Sequence, residues 1–165
     1  MTDEADAWRR WLRQHGPALL LFARQWSATL ADAEDSVQAG FLKFWKTRSR
    51  ARNEVAYLYA CVRSVALDMG RSGRRQAIRE QRAGPQEESA FETLLEESQR
   101  HHRIEAALKE LPADQREVVV MKIWGEMSFA QIGEALGIPL HTAGSRYRAA
   151  LSRLASDLAQ EVRNE

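Results

Sequence analysis

The residues best placed to do chemistry lie near the end of the chain, in the run His141-Thr-Ala-Gly-Ser-Arg-Tyr-Arg148. At helical spacing His141, Ser145, Arg148 and Ser152 project to one side, away from Tyr147 and Leu151. Thr142, Gly144 and Arg146 fall on the flanks of that side. Small hydrogen-bonding groups, two arginines and a glycine suit a helix lying in the major groove of DNA. An arginine donates two bonds to a guanine edge or pairs with a phosphate. Glycine inside a helix costs about 1 kcal/mol relative to Ala, so Gly144 reads as a point of close backbone approach. The same spacing also fits an ordinary helical hairpin with a solvated outer face.

Two short helices joined by a tight turn must position these groups. Ser128 and Gln131 have the spacing of a capping box. Phe129, Ile132 and Leu136 then share a helical face. Gly137 stands where a left-handed residue ends the helix, and Pro139 suits the opening of the next. The second helix has an inner face of Ala143, Tyr147, Leu151, Leu154 and Leu158, with Ala150 in the seam.

The rest of the chain reads as helices too. Ala7, Trp8, Trp11 and Leu12 recur at helical spacing over about 3–14, and His15-Gly-Pro17 breaks that helix. A compact apolar helix covers 18–26. A third covers 31–45, with Val37, Phe41, Phe44 and Trp45 inward and Asp35, Gln38, Ala39 and Leu42 outward. A basic loop follows, Lys46-Thr-Arg-Ser-Arg-Ala-Arg52. Asn53 caps a helix that reaches about Gly70, with Val55, Leu58, Val62, Val65 and Met69 inward. Trp8, Trp11, Trp26 and Trp45 fall on apolar faces and belong to the core. Residues 77–98, rich in Arg, Gln, Glu and Gly, read as a linker. A second helical unit starts near Gln99: Ile104, Ala107, Leu108 and Leu111 give one face, and Pro112 opens a helix packed by Val118, Val119, Met121, Ile123 and Trp124. No stretch alternates with strand period. The expectation is an all-α chain of two small helical domains, 1–76 and 99–165, with a flexible linker between them.

The 165 residues allow one medium domain or two small ones. The net charge of +1 hides local patches. Lys43, Lys46, Arg48, Arg50 and Arg52 cluster, as do Arg71, Arg74, Arg75, Arg79 and Arg82, against an acidic group of Glu87, Glu88, Glu92, Glu96 and Glu97. The one cysteine, Cys61, forms no internal disulfide and suits a reducing compartment. The acidic start lacks an apolar signal core, and no apolar run reaches membrane-spanning length, so the expected setting is cytoplasmic. His15, His101, His102 and His141 show no metal-ligand spacing, and there is no glycine-rich phosphate loop or nucleophile motif. These features point away from an enzyme, a metal site and a cofactor.

The two halves together resemble a known family. Asp32-Ala-Glu-Asp-Ser-Val-Gln-Ala-Gly-Phe-Leu-Lys-Phe-Trp45 and Tyr57-Leu-Tyr-Ala-Cys-Val-Arg-Ser-Val-Ala-Leu-Asp68 resemble region 2 of bacterial RNA polymerase sigma factors. Leu111-Pro-Ala-Asp-Gln-Arg-Glu-Val118, followed by Met127 to Leu154, resembles region 4. With only a short linker between them, the pattern is similar to the minimal, extracytoplasmic-function class of the sigma-70 family.

The resemblance implies that the helix over 31–45 docks on the polymerase clamp through Asp35, Gln38 and Leu42, although Ala39 stands where relatives often have Glu. It implies that Lys46, Arg48, Arg50, Arg52, Tyr57, Tyr59, Arg63 and Ser64 recognise and open the minus-10 element. Relatives often have Trp where Tyr57 lies and Asn where Ser64 lies, which leaves the captured base open. His141, Thr142, Gly144, Ser145, Arg146 and Arg148 would read the minus-35 element. Arg146 is assigned to phosphate and Arg148 to a base edge; many relatives carry Lys or Arg where Gly144 stands. The implied partners are core RNA polymerase through clamp and flap, promoter DNA, and an anti-sigma factor of the kind that commonly holds such proteins inactive. In holoenzyme the protein would be nucleoid-associated. An autonomous helix-turn-helix repressor or activator is the alternative, opposed by the clamp-like helix and basic loop of the first half.

Overall fold

The computed structural model describes residues 2–80 and 99–164. Among these residues there are α-helices and one 3-10 turn, and no strand. The chain divides into two compact units, Met1–Leu95 and Glu96–Glu165.

The first unit is built from α1 (Thr2–Arg24), α2 (Leu30–Thr47), the 3-10 turn Arg48–Arg50, and α3 (Glu54–Glu80). The expected break at His15-Gly-Pro17 does not occur, because α1 runs through Pro17 as one helix. An interior proline costs about 3 kcal/mol, through a lost hydrogen bond and a clash with the preceding turn. Packing on both sides of Pro17 offsets that. Before it, Trp8 meets Phe41 edge-on at 4.5 Å and Trp11 lies 5.1 Å from Phe44. After it, Leu19, Leu20, Phe22 and Ala23 are buried. Burying one such side chain is worth about 1.5–3 kcal/mol, so several of them hold a single axis.

Thr29 caps α2, its hydroxyl accepting the Asp32 N–H at 3.1 Å. Ala33, Ser36, Val37, Gly40, Phe41 and Phe44 form the buried face. At Gly40 the two long helices nearly touch: a Cβ there would lie 2.6 Å from the Val62 Cα. Asn53 caps α3 as expected, accepting the Ala56 N–H at 2.9 Å. The buried face of α3 is broader than the expected stripe. Leu58 and Val62 are buried with Ala56, Tyr59, Cys61 and Ala66, whereas Val55, Val65 and Met69 are half-buried. α3 packs against both α1 and α2, so more than one side of it is covered. It also continues to Glu80 instead of ending near Gly70. Arg, Gln, Ala, Ile and Glu are helix formers that outweigh the glycines. The predicted linker thus begins as helix over 77–80, and its remainder, 81–98, lies outside the described residues.

The second unit comprises α4 (Gln99–Lys109), α5 (Ala113–Ile123), α6 (Phe129–Leu136) and α7 (Leu140–Asn164). Leu108, Leu111, Val118, Val119, Val120, Met121, Met127, Ile132, Ala143 and Ala150 make its core. Val120 takes the place expected of Ile123, which is exposed. The turn between α6 and α7 follows the sequence closely. Ser128 and Gln131 form both bonds of the capping box. Gly137 has φ of 68°, in the left-handed region that glycine adopts without penalty. The Ile138 N–H then bonds back to the Gly133 carbonyl at 2.9 Å. The inner face of α7 ends sooner than its sequence suggests. Leu151 and Leu158 are exposed, and no described residue beyond Ala150 is buried. The helix outruns the core it packs on.

Candidate nucleic-acid interface

In the first unit the candidate groups lie around the 3-10 turn and the start of α3. Lys46, Arg50 and Arg52 are exposed. Arg48 is folded back: its guanidinium lies 3.7 Å over the Trp45 ring, Nη1 donates to the Trp45 carbonyl at 2.8 Å, and Nη2 lies 3.6 Å from a Glu4 carboxylate oxygen. It anchors the turn to α1 and α2, leaving three cations outermost.

The two tyrosines part company. Tyr59 is fully buried, with its ring 5.2 Å from Phe22 and no hydrogen-bond partner for its hydroxyl among the described residues. Burial pushes its ionisation well above the ordinary range. A side chain so placed has no face for a nucleobase, so its geometry is that of core packing. Tyr57 is half-buried and held from both ends. Its ring lies 6.1 Å from Phe44, and its hydroxyl is 2.6 Å from the Thr47 hydroxyl. Thr47 donates to the Lys43 carbonyl at 2.8 Å, so Tyr57 is the donor in the pair. The Cys61 thiol behind it is pushed up by burial, with the Tyr57 hydroxyl and Lys43 charge pulling the other way. Arg63 is half-buried, its guanidinium 5.7 Å from the Trp26 ring, and Ser64 is exposed. The arrangement presents a half-buried tyrosine and an exposed serine on α3, in the unit that carries the exposed cations Lys46, Arg50 and Arg52.

On α2, Asp35, Gln38, Ala39 and Leu42 are all exposed, and Leu42 keeps 48% of its surface. The strip faces away from the Val37, Phe41 and Phe44 core.

In the second unit, His141, Ser145, Arg148 and Ser152 form an exposed strip along α7. Ser145 donates its hydroxyl to the Thr142 carbonyl at 3.1 Å. Thr142 and Arg146 are half-buried, and Arg146 Nε lies 3.7 Å from an Asp114 carboxylate oxygen on α5. That contact fixes Arg146 at the edge of the strip. Gly144 is buried. The close approach expected at this backbone is made by the chain's own Arg148 and Phe129 side chains.

Sequence reasoning missed two neighbours of these sites. Thr47 lies ten residues from Tyr57, a separation with no local periodic signal. Leu140 is exposed beside His141; an apolar residue immediately after Pro139, outside the inner-face periodicity, was the available clue. Among the described residues no group of three or more His, Cys, Asp or Glu side chains could hold a metal ion. No described helix is long and apolar enough to cross a membrane.

Comparison with known proteins gives a consistent result for both units. Residues 11–76 match the family model of Sigma-70 region 2, and residues 101–154 match that of Sigma-70, region 4. The chain is 28% identical over 162 residues to the ECF RNA polymerase sigma factor SigE of Mycolicibacterium smegmatis, covering 93% of this chain and 62% of that protein. It is 26% identical over 156 residues to the ECF RNA polymerase sigma factor RpoE of Cereibacter sphaeroides, covering 92% and 86%. Among solved structures, the sigma factor RpoE in complex with the anti-sigma factor NepR from Bartonella quintana is similar at a TM-score of 0.69 and 26% identity, covering 92% of this chain and 96% of that one.

Proposed function

Because the chain belongs to the sigma-70 family, in its extracytoplasmic-function class, we propose that it binds core RNA polymerase and directs promoter-specific initiation. The first unit recognises and opens the minus-10 element, and the second reads the minus-35 element. Core polymerase supplies the metal and the chemistry; this chain supplies position.

The observation that carries the reading is the pairing of both sigma regions, in order, with exposed strips of suitable chemistry on each. On α2, Asp35, Gln38 and Leu42 are available to the polymerase clamp. Beside them, Lys46, Arg50 and Arg52 take the phosphates of the opened strand. Unstacking a base costs a few kcal/mol, and stacking on an aromatic ring returns about 1–3 kcal/mol per base. Tyr57 is the tyrosine with surface for that task. On α7, His141, Ser145 and Arg148 face the groove, Arg148 takes a base edge and Arg146 a phosphate.

The protein acts in the cytoplasm, and an anti-sigma factor is an expected partner, as one is for the Bartonella RpoE. An autonomous repressor needs no region 2, so the match over residues 11–76 speaks against it.

The test is a pull-down with purified core polymerase followed by transcription from a randomised promoter library. The expected outcome is a stable complex and a two-element consensus. A chain that ignores core polymerase but binds duplex DNA on its own would overturn the proposal.

A further inference from the structure

Gly144 lies on the flank of the strip assigned to DNA, and it is buried. A Cβ built on it would meet Arg148 Nη1 at 3.3 Å and the Phe129 ring atoms Cδ2 and Cε2 at 3.9 and 4.0 Å. The side chain of Arg148 therefore runs back along the helix and lays its guanidinium over the bare backbone one turn earlier. Long helical side chains lean toward the N-terminus and onto the residue four before them, so the direction is the ordinary one. What is particular is the bare backbone: a Cβ at 144 would press on Nη1 at 3.3 Å, and a longer side chain would compete for the space that the guanidinium now occupies.

We propose that Gly144 is a specificity-determining position that acts through Arg148, by seating its guanidinium over the turn of α7 that carries His141 and Ser145. The inference rests on Arg148 being a base reader, as argued above. Recognition helices contact bases mainly through their N-terminal residues, and Arg148 is the strip's arginine farther from that end. The seat brings its charged group back toward the N-terminal end of α7, over the Gly144 backbone that the Phe129 ring also borders. A planar fork held in one orientation is what bidentate recognition of a guanine edge requires. Gly144 touches no base in this scheme; it is a positioning residue.

The experiment uses the full chain with core polymerase and a promoter library randomised across the minus-35 element. Arg148→Ala should reduce the preference at one base position by about fivefold or more. Gly144→Met, which fills the seat, should reduce the preference at that same position. The double variant should be no worse than Arg148→Ala alone. The melting temperature of Gly144→Ala should equal or exceed that of the parent, since glycine is a poor helix former. A purely structural role for Gly144 predicts instead a uniform loss across all bases, with lower melting temperature.

Three results overturn the inference. If Arg148→Ala abolishes the preference and Gly144→Met keeps it, Arg148 reads its base without the seat, and only the positioning claim falls. If Arg148→Ala changes nothing at any base, the base-reading assignment falls and the inference with it. If Gly144→Met does not fold, Gly144→Leu decides: its side chain reaches past the Cβ position that already lies 3.3 Å from Nη1, so an unaltered preference at the Arg148 base position rejects the seat.

Discussion

At the scale of single residues, burial separates roles that the sequence left together. Tyr57 and Tyr59 lie two apart, in the same helical run, and nothing in their spacing says which is the working one. The fold places Tyr59 against Phe22 and leaves Tyr57 at the edge, tied to Thr47. Thr47→Val keeps the shape and removes the acceptor for the Tyr57 hydroxyl. It is expected to cost about 1 kcal/mol of stability and to slow promoter opening, followed by permanganate reactivity of unpaired thymines. Thr47→Ser should restore both, because it keeps the hydroxyl. His15 gives a pH dependence. It packs 4.9 Å from Trp11, and burial lowers its pKa below the ordinary 6.5. A lowered value means that the folded state prefers the neutral ring. Its contribution is fully present above the ordinary histidine pKa and is lost as pH falls through the lowered one. Urea unfolding on that acid side should show falling stability, and His15→Gln should flatten the His15 part of the slope.

At the scale of helices, the local signals that were read correctly are those in which one residue does one local job. Ser128, Gln131 and Gly137 each act within a turn of themselves, and the structure places them as the sequence implies. The misreadings arise where distant packing outweighs local preference. Pro17 has the chemistry of a helix breaker, and α1 passes through it because Trp8 and Trp11 on one side and Leu19 to Ala23 on the other are all engaged. Pro17→Ala should therefore stabilise the protein, by about 1–3 kcal/mol, as read from the denaturant midpoint. Gly40 shows the opposite case, a residue with no local signal and a strict tertiary one. Adding a methyl at 40 drives it into the Val62 backbone, which no side-chain rotation relieves. Gly40→Ala should cost about 1–3 kcal/mol or more and lower the melting temperature. The breadth of the buried face of α3 was equally illegible, since a helix covered on more than one side has no single apolar stripe to read.

At the scale of the whole molecule, the all-helical class was visible in the sequence because helical periodicity and glycine-proline punctuation agree along most of its length. Near-neutral net charge was no guide to DNA binding, because 23 acidic residues offset 24 cations that are grouped along the chain. Each unit presents a modest reading surface, and joining two modest readers raises their combined affinity when the spacing fits. Polymerase sets that spacing in the proposed complex, so docking on it governs both ends at once. Asp35→Ala combined with Gln38→Ala should weaken core binding by about 5- to 30-fold in a competition assay. Occupancy of the minus-10 and minus-35 elements should fall together, while the thermal melt of the protein stays in place. Unequal loss at the two elements would count against α2 as the docking face. The end of α7 governs how the molecule comes apart. From Leu151 onward only Leu154 is half-buried, and Leu158 and Val162 retain 60% and 75% of their surface. Their amide protons are sheltered by the helix alone, which is marginal in water over so few turns. Deuterium uptake should run from the C-terminal end of α7 inward and stop abruptly at Ala150. Brief trypsin treatment should cut after Arg153 and Arg163 well before the turns carrying His141 and Arg148 open.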